Sequence, residues 1–307
     1  MRIVITGSSG FVGQNLVPYL GSKEYCVNQF SLRKEGWQVE IPPTAEVIIH
    51  LAGKAHDTTN TSSAEEYFKV NRDLTIELFN YFLRSEAKDF FYFSSVKAVA
   101  DTVEGVLTEE VDAKPFTPYG QSKYEAEQYL LNAQLPDGKR VFIIRPCMIH
   151  GPGNKGNLNL LYKVVEKGIP WPLASFENHR SFLSIDNLCY LVDKMMNNAH
   201  VSSGAYNFAD DKALSTNELV TLLARVSNKE PKLWHISKGF MSGIATIGDK
   251  IKLPLNSERL KKLTENYVVS NEKIKKALGI DSLPVSAEEG LEKTIRSFKV
   301  KSDRREG

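Results

Sequence analysis

A tyrosine and a lysine stand four residues apart, as Tyr119 and Lys123, in a segment that opens a predicted helix. Positions i and i+4 share one face of a helix, so the phenol and the ammonium lie on the same side. Because a nearby cation favours a phenolate, we expect Lys123 to lower the pKa of Tyr119 and tune it for proton transfer. The spacing recurs twice elsewhere, but Tyr119 alone opens a helix directly after a proline-containing loop.

Two serines, Ser94 and Ser95, stand at the carboxyl end of a strand predicted at 90–94. In open parallel sheets, ligands bind outside the carboxyl ends of the strands. A serine hydroxyl there can hydrogen-bond a substrate oxygen while Tyr119 passes that oxygen a proton. We expect Ser95 to take this role, with Ser94 as the alternative.

A glycine-rich turn lies between the first predicted strand, 3–5, and the helix that follows Gly10. Glycine permits a tight turn and a close approach of phosphate to the backbone, and the start of a helix offers N–H groups to an anion. The spacing is GxxGxxG, and a purely structural turn is the alternative. Its position at the first strand–helix junction favours a dinucleotide. The residues expected to contact it are Gly7, Ser9, Gly10, Phe11, Val12 and Gly13.

The second predicted strand, 25–30, is followed by Ser31 and Arg33, and the first acidic residue is Glu35. An acid at this point selects NAD, whereas arginine accommodates the 2′-phosphate of NADP. We therefore expect Ser31 and Arg33 to favour NADP(H), with NAD as the alternative cofactor. A solvated basic loop is the other interpretation of these residues.

These residues are positioned by strands that alternate with helices. The predicted strands lack in/out alternation, which is typical of a parallel sheet covered on both faces. The expected fold class is α/β, a doubly wound parallel-sheet Rossmann domain with a smaller C-terminal α/β lobe. We place the dinucleotide-binding domain at 1–152 and the substrate lobe mainly at 153–307, with about 181–209 returning to the first domain.

The composition excludes several classes of protein. The 307 residues are 42% hydrophobic and 25% charged, which is ordinary globular usage. The net charge of +2 gives no broad attraction to polyanions, so neither nucleic acid nor a membrane is an expected partner. Three unpaired cysteines and no metal-ligand spacing predict neither a disulfide framework nor a metal site. A reducing, cytoplasmic location is expected.

Together these motifs make the chain resemble the extended short-chain dehydrogenase/reductases, in particular the nucleotide-sugar epimerase/dehydratase branch. The resemblance covers essentially the whole chain. Besides the glycine turn and the Ser95, Tyr119 and Lys123 set, it rests on the segments 50–53, 70–71, 145–146, 150–153, 180–188, 206–208 and 215–219. It implies further cofactor contacts from Leu51, Ala52, Gly53, Asn71, Tyr119, Lys123 and Pro146.

The resemblance implies hydride transfer between a nicotinamide and a sugar carbon, with Lys123 holding the nicotinamide ribose. Because Arg33 is present and Ser31 replaces the acid of NAD-binding members, we favour reduction of a UDP-linked 4-keto-6-deoxy-N-acetylhexosamine in surface polysaccharide synthesis. The main alternative is a UDP-hexose or UDP-N-acetylhexosamine 4-epimerase with bound NAD. A non-catalytic dinucleotide sensor is the minor alternative, and it predicts a damaged Ser/Tyr/Lys set.

A UDP-sugar substrate carries a diphosphate that needs cationic partners. We expect Arg180 to meet it as a bidentate fork and Lys155 as a point charge, with Asn154 and Ser95 completing the substrate contacts. A homodimer through the helix that carries Tyr119 is left open.

Overall fold

The computed structural model describes residues 1–55, 63–154, 157–251 and 255–303. The strands are β1 (Arg2–Thr6), β2 (Cys26–Phe30), β3 (Val47–His50), β4 (Asp89–Phe93), β5 (Val106–Leu107), β6 (Arg140–Pro146), β7 (Met148–His150), β8 (His179–Arg180), β9 (Phe182–Ser184), β10 (Gly204–Phe208), β11 (Leu214–Ser215) and β12 (Val268–Val269). The helices are α1 (Phe11–Ser22), α2 (Ala64–Tyr67), α3 (Leu74–Arg84), α4 (Pro118–Leu131), α5 (Asn157–Glu166), α6 (Ile185–Met196), α7 (Thr216–Val226), α8 (Lys238–Ile251), α9 (Ser257–Thr264), α10 (Glu272–Leu278) and α11 (Ala287–Asp303).

Six parallel strands form the central sheet, in the order β10-β6-β4-β3-β1-β2. The register pairs Thr6 with His50 and His50 with Tyr92, so the carboxyl ends of neighbouring strands lie side by side at one end of the sheet. The α/β parallel-sheet fold predicted from the sequence is confirmed. The carboxyl end of the sheet carries the glycine turn, the segment after β3 and the serines after β4. The predicted site residues therefore lie at the same end of the sheet.

The sheet is buried on both faces because its strands carry apolar residues at successive positions. Ile3 and Ile5 belong to a core covered by α1 and α6, whereas Val4 between them belongs to a core covered by α3 and α4. Burial on both sides explains why the strands show no polar alternation.

The C-terminal half contributes to both parts of the molecule. Within the segment 181–209, which we expected to return to the first domain, Tyr206 lies on β10, and β10 pairs in parallel with β6 at the edge of the central sheet. Phe182, in the same segment, lies on β9, which instead pairs with β7 in a separate two-stranded sheet. The remaining lobe has its own core, formed mainly by α5, α7, α8 and α11. The division at residues 152 and 153 stays a prediction.

None of the helices in the described ranges combines the length and the apolar character that crossing a bilayer requires.

Candidate active site

The glycine turn has the backbone geometry that a dinucleotide diphosphate requires. Gly7 has φ +71°, and a Cβ there would lie 2.4 Å from the backbone nitrogen of Ala52. A Cβ on Gly13 would lie 2.4 Å from Cα of Ser8. Gly10 caps α1 without a side-chain hydrogen bond, and the first turn of α1 carries no acidic residue. The start of α1 therefore suits an anion, and the turn fits the diphosphate of a dinucleotide.

Replacing Gly13 with alanine is expected to destabilise the protein by about 1–3 kcal/mol, because the new methyl group meets the backbone of Ser8. Gly21, in the same helix, has open space where a methyl group would stand, so Gly21→Ala is the matched control. It is expected to stabilise the helix by about 0.5–1 kcal/mol. Urea denaturation measures both changes, and equal effects of the two substitutions would contradict the steric argument.

Other predicted cofactor residues lie in this turn or at the carboxyl ends of further strands of the sheet. Ser9, Phe11 and Val12 belong to the turn or the first turn of α1, and Leu51, Ala52 and Gly53 follow β3. Pro146 ends β6.

Ser31 and Arg33 follow β2 and are both exposed. The backbone N–H of Arg33 donates to the Ser31 hydroxyl at 3.3 Å. The two side chains thus belong to one short turn at the carboxyl end of the strand.

Asn71 lies in a π-helical turn, Phe68–Asp73, that joins α2 to α3. Its side-chain oxygen accepts from the N–H of Lys54 at 2.7 Å, and its nitrogen donates to Ser122 at 3.1 Å. Asn71 thereby ties the segment after β3 to α4. Such π-turns occur frequently at functional sites. Direct contact of Asn71 with a cofactor stays a prediction.

His50, at the end of β3, is buried and hydrogen-bonded. The hydroxyl of Thr75 donates to the Asn71 carbonyl at 2.8 Å, so it accepts from Nε2 of His50 at 2.9 Å. Nδ1 then accepts from the Thr6 hydroxyl at 2.7 Å, which in turn accepts from the N–H of Ala52. Burial lowers the pKa of His50 to about 3, so the histidine that links these hydrogen bonds is neutral.

The start of α4 places Tyr119 beside Ser95. Thr117 caps the helix by accepting from the N–H of Gly120, and the Asp101 carboxylate accepts from the N–H groups of Phe116 and Thr117. The Ser95 side chain is close enough to the Tyr119 phenol to act on its pKa.

Ser94, the alternative to Ser95, has a different environment. Its hydroxyl is buried, with no hydrogen-bond partner within the described ranges. The structure therefore brings Ser95 to Tyr119 and keeps Ser94 inside the fold.

Lys123 is buried one helical turn after Tyr119. Its Nζ donates to the carbonyl of Phe93 at 2.8 Å and lies 4.8 Å from the centroid of the Tyr92 ring. A Cβ built on Gly53 would lie 3.1 Å from this Nζ, so the ammonium reaches the edge that carries the glycine turn. Burial lowers the pKa of Lys123 to about 8, and the carboxylate of Glu127 opposes that shift.

The pKa of Tyr119 moves in the opposite direction from our expectation. Burial raises it, and the hydrogen bond from Ser95 opposes this effect. The Tyr67 ring packs edge-on at 6.1 Å and contributes to the burial. The expected lowering by Lys123 is therefore wrong for this structure, in which desolvation outweighs the attraction of a cation for the phenolate.

The buried ammonium predicts a dependence of stability on pH. Between about pH 8 and pH 10.5 the folded protein binds fewer protons at Lys123 than the unfolded chain does. The free energy of unfolding therefore gains up to about 3 kcal/mol from this group as the pH rises through that window. Lys123→Met lacks the group, so the wild type should gain stability relative to the variant in urea denaturations at increasing pH. A constant difference between them would contradict the lowered pKa.

The sequence did not point to Glu127 and Arg145 as a pair. Both are buried, and Nε and an Nη of Arg145 donate to the Glu127 carboxylate at 3.1 and 2.6 Å. Glu127 is four residues after Lys123 on the same helix, and this spacing was the available signal. The pair anchors α4 to the end of β6.

Arg180 lies on β8 and is held by the end of α9. Its Nε donates to the carbonyl of Glu265 at 3.3 Å, and its Nη2 lies 3.3 Å from the Glu265 carboxylate. Lys97, two residues after Ser95, lies near this group, with its Nζ 4.2 Å from the centroid of the Tyr267 ring. No motif in the sequence pointed to Lys97.

Asn154 is turned back towards its own loop, where its side-chain nitrogen donates to the Ile149 carbonyl at 3.1 Å. This contact does not bring Asn154 together with Arg180. Lys155 lies outside the described residues.

Comparison with known proteins identifies the family of the chain. A model of the NAD dependent epimerase/dehydratase family matches residues 3–209. The chain is 30% identical to a UDP-glucose 4-epimerase of Vibrio cholerae, over 96% of this chain and 95% of that protein. It is 25% identical to a GDP-6-deoxy-D-mannose reductase of Pseudomonas aeruginosa, over 75% of this chain and 81% of that protein.

The fold also matches a solved structure. A UDP-glucose 4-epimerase from Thermotoga maritima, determined with UDP-glucose, superposes with a TM-score of 0.76 at 21% identity. The match covers 98% of this chain and all of that chain.

Proposed function

Because the chain belongs to the NAD dependent epimerase/dehydratase family, we propose that it is a 4-epimerase of a UDP-linked hexose or N-acetylhexosamine. Membership makes it an NAD(P)-dependent enzyme of nucleotide-sugar chemistry, so the sensor hypothesis is wrong. The observation that carries the proposal is the proximity of the Ser95 and Tyr119 side chains, with Lys123 one turn further along α4, at the end of the sheet that bears the glycine turn. The full-length similarity to an epimerase supports this choice better than the reductase favoured by the sequence.

The turn from Gly7 to Gly13 would hold the dinucleotide diphosphate, and Lys123 would hold the nicotinamide ribose. When bound, the nicotinamide supplies the hydride acceptor and donor. The oxidative step requires Tyr119 as the phenolate, which takes the proton of the sugar 4-hydroxyl as hydride leaves that carbon; the resulting phenol returns the proton when hydride is restored on the opposite face. The Ser95 hydroxyl hydrogen-bonds the same oxygen and holds it against Tyr119.

The proposed binding of the substrate diphosphate rests on its charge. Arg180 is positioned on β8 by the end of α9, and its guanidinium is the cation proposed to meet the substrate diphosphate.

The test incubates the purified protein with UDP-glucose, and separately with UDP-N-acetylglucosamine, without added cofactor. Chromatography of the products is expected to show conversion to the 4-epimer. Absence of conversion, together with consumption of NADPH in the presence of a UDP-linked 4-keto sugar, would overturn the epimerase in favour of a reductase.

A 4-keto-sugar reductase is the second candidate, and the turn after β2 favours it. The exposed Ser31 and Arg33 suit the 2′-phosphate of NADP(H), and β2 is followed by no acid before Glu35. Burial also keeps Tyr119 protonated, which suits proton donation during a reduction. One reduction per turnover requires the dinucleotide to exchange, whereas an epimerase retains it.

Arg33→Ala is expected to weaken NADPH binding by about ten- to a hundred-fold, because a charge-assisted hydrogen bond to the 2′-phosphate is lost. NADH binding should change little. Titration of the intrinsic fluorescence with each cofactor measures the ratio of the NADPH and NADH affinities. The control is Lys88→Ala, at an exposed lysine before β4, at the amino end of the sheet. Equal losses for the two cofactors would contradict a preference for NADP(H).

A further inference from the structure

Helix α8 exposes a row of large apolar side chains on the surface of the C-terminal lobe. Phe240, Ile247 and Ile251 are 62%, 56% and 63% exposed. Their spacing of seven and four residues places them along one side of the helix, and we call them the α8 stripe. Met241, Ala245 and Gly248, on another side, are buried in the lobe core. The helix therefore lies along the lobe surface with the α8 stripe turned outward.

The segment around the α8 stripe is strongly basic. From Lys232 to Lys262 the sequence has seven Lys or Arg residues and two acidic ones, whereas the whole chain has a net charge of only +2. Lys250, which borders the stripe one turn after Ile247, is exposed, as is Lys261 on α9, whereas the exposed Lys262 is paired with Glu258. The near balance of the total charge thus conceals a positive region on this lobe. The expectation of no membrane partner came from the total charge and does not extend to this region.

We propose that the α8 stripe docks the protein on an anionic lipid surface. Apolar side chains on one side of a surface helix, flanked by lysines, are the features by which amphipathic helices lie in the interfacial region of a bilayer. Lipid phosphates complement the basic flank. Trp234, exposed four residues before the helix, adds an aromatic ring of the kind enriched at membrane interfaces.

A second copy of the chain is the competing occupant of this surface. A two-fold contact through the α8 stripe would bring the same basic flank of both copies together. Like charges facing each other oppose such an interface, whereas anionic lipid attracts it. The charge of the segment therefore favours a lipid surface.

The test is sedimentation with vesicles of phosphatidylcholine, with and without about one quarter phosphatidylglycerol. The full chain is expected to bind the anionic vesicles at about 0.1 M salt and to be released at about 0.5 M. Phe240→Ser with Ile247→Ser should weaken binding at least about tenfold, because each buried side chain contributes roughly a factor of ten. Lys250→Glu should also weaken it, since a favourable charge becomes a repulsive one.

Val39→Ser with Val106→Ser removes exposed apolar residues outside the α8 stripe and should bind as the wild type does. Lys88→Glu is the corresponding charge control. No binding to anionic vesicles, or equal losses in these controls, would overturn the proposal. So would a wild-type dimer in analytical ultracentrifugation that the Phe240→Ser, Ile247→Ser variant converts to a monomer. Turnover of a water-soluble UDP-sugar is measured in parallel, so failure of the docking proposal is distinguishable from failure of the proposed function.

Discussion

Tyr119→Phe is expected to lower kcat by about 10²–10⁴-fold while leaving cofactor affinity within about twofold. The substitution removes the hydroxyl beside Ser95 and retains the ring that packs against Tyr67. The fold and the glycine turn therefore stay intact. The loss should appear in either direction of hydride transfer, because the proton of the substrate hydroxyl moves in both.

Tyr129→Phe is the matched control, on the same helix. Its hydroxyl donates to the Asn80 side chain at 3.0 Å, at an exposed position away from Ser95. Its kcat should equal that of the wild type. Steady-state kinetics with a nucleotide sugar, together with a cofactor titration, measures both variants. A Tyr119→Phe enzyme that retains more than about one tenth of the wild-type kcat would show that another group transfers the proton.

Glu127→Ala is expected to lower the free energy of unfolding by about 3–5 kcal/mol, because it leaves the buried Arg145 guanidinium without its counter-ion. The carboxylate also favours the charged form of Lys123, so its removal should lower the pKa of Lys123 further. Urea denaturation gives the stability change. The pH dependence of that stability should move towards lower pH.

Glu125→Ala provides the comparison on the same helix. Glu125 pairs with Arg72 at 2.8 Å, but both side chains are partly exposed, so the expected cost is at most about 1 kcal/mol. Joint replacement, Glu127→Leu with Arg145→Met, should recover much of the loss, since no buried charge is left unpaired. Similar costs for Glu127→Ala and Glu125→Ala would refute the assignment of a buried, uncompensated cation.

Much of the fold was predictable because its signals are local. The strands around Ile3, Val47 and Phe90 are apolar at successive positions, which requires cover on both faces and hence helices between them. The place of β9 was not predictable, since the choice between the central sheet and a separate pair with β7 depends on strands that are distant in sequence.

The candidate site was likewise predictable only in part. Tyr119 and Lys123 share a helix face in any helix, and Gly7 and Gly13 occupy a strand–helix turn whose shape depends on them. The choice of Ser95 over Ser94 is a different matter, because only the course of the chain after β4 decides which hydroxyl meets Tyr119.

The sequence by itself determined the parallel α/β architecture, the glycine turn and the Tyr119/Lys123 face, because each follows from the conformational preferences or spacing of neighbouring residues. The tertiary structure alone decided the raised pKa of Tyr119, the Glu127 and Arg145 pair and the exposure of the α8 stripe. Burial and long-range pairing depend on which distant elements pack together. The spacing of residues therefore determines which face of a helix a side chain occupies. Only the assembled fold determines which residues contact that face.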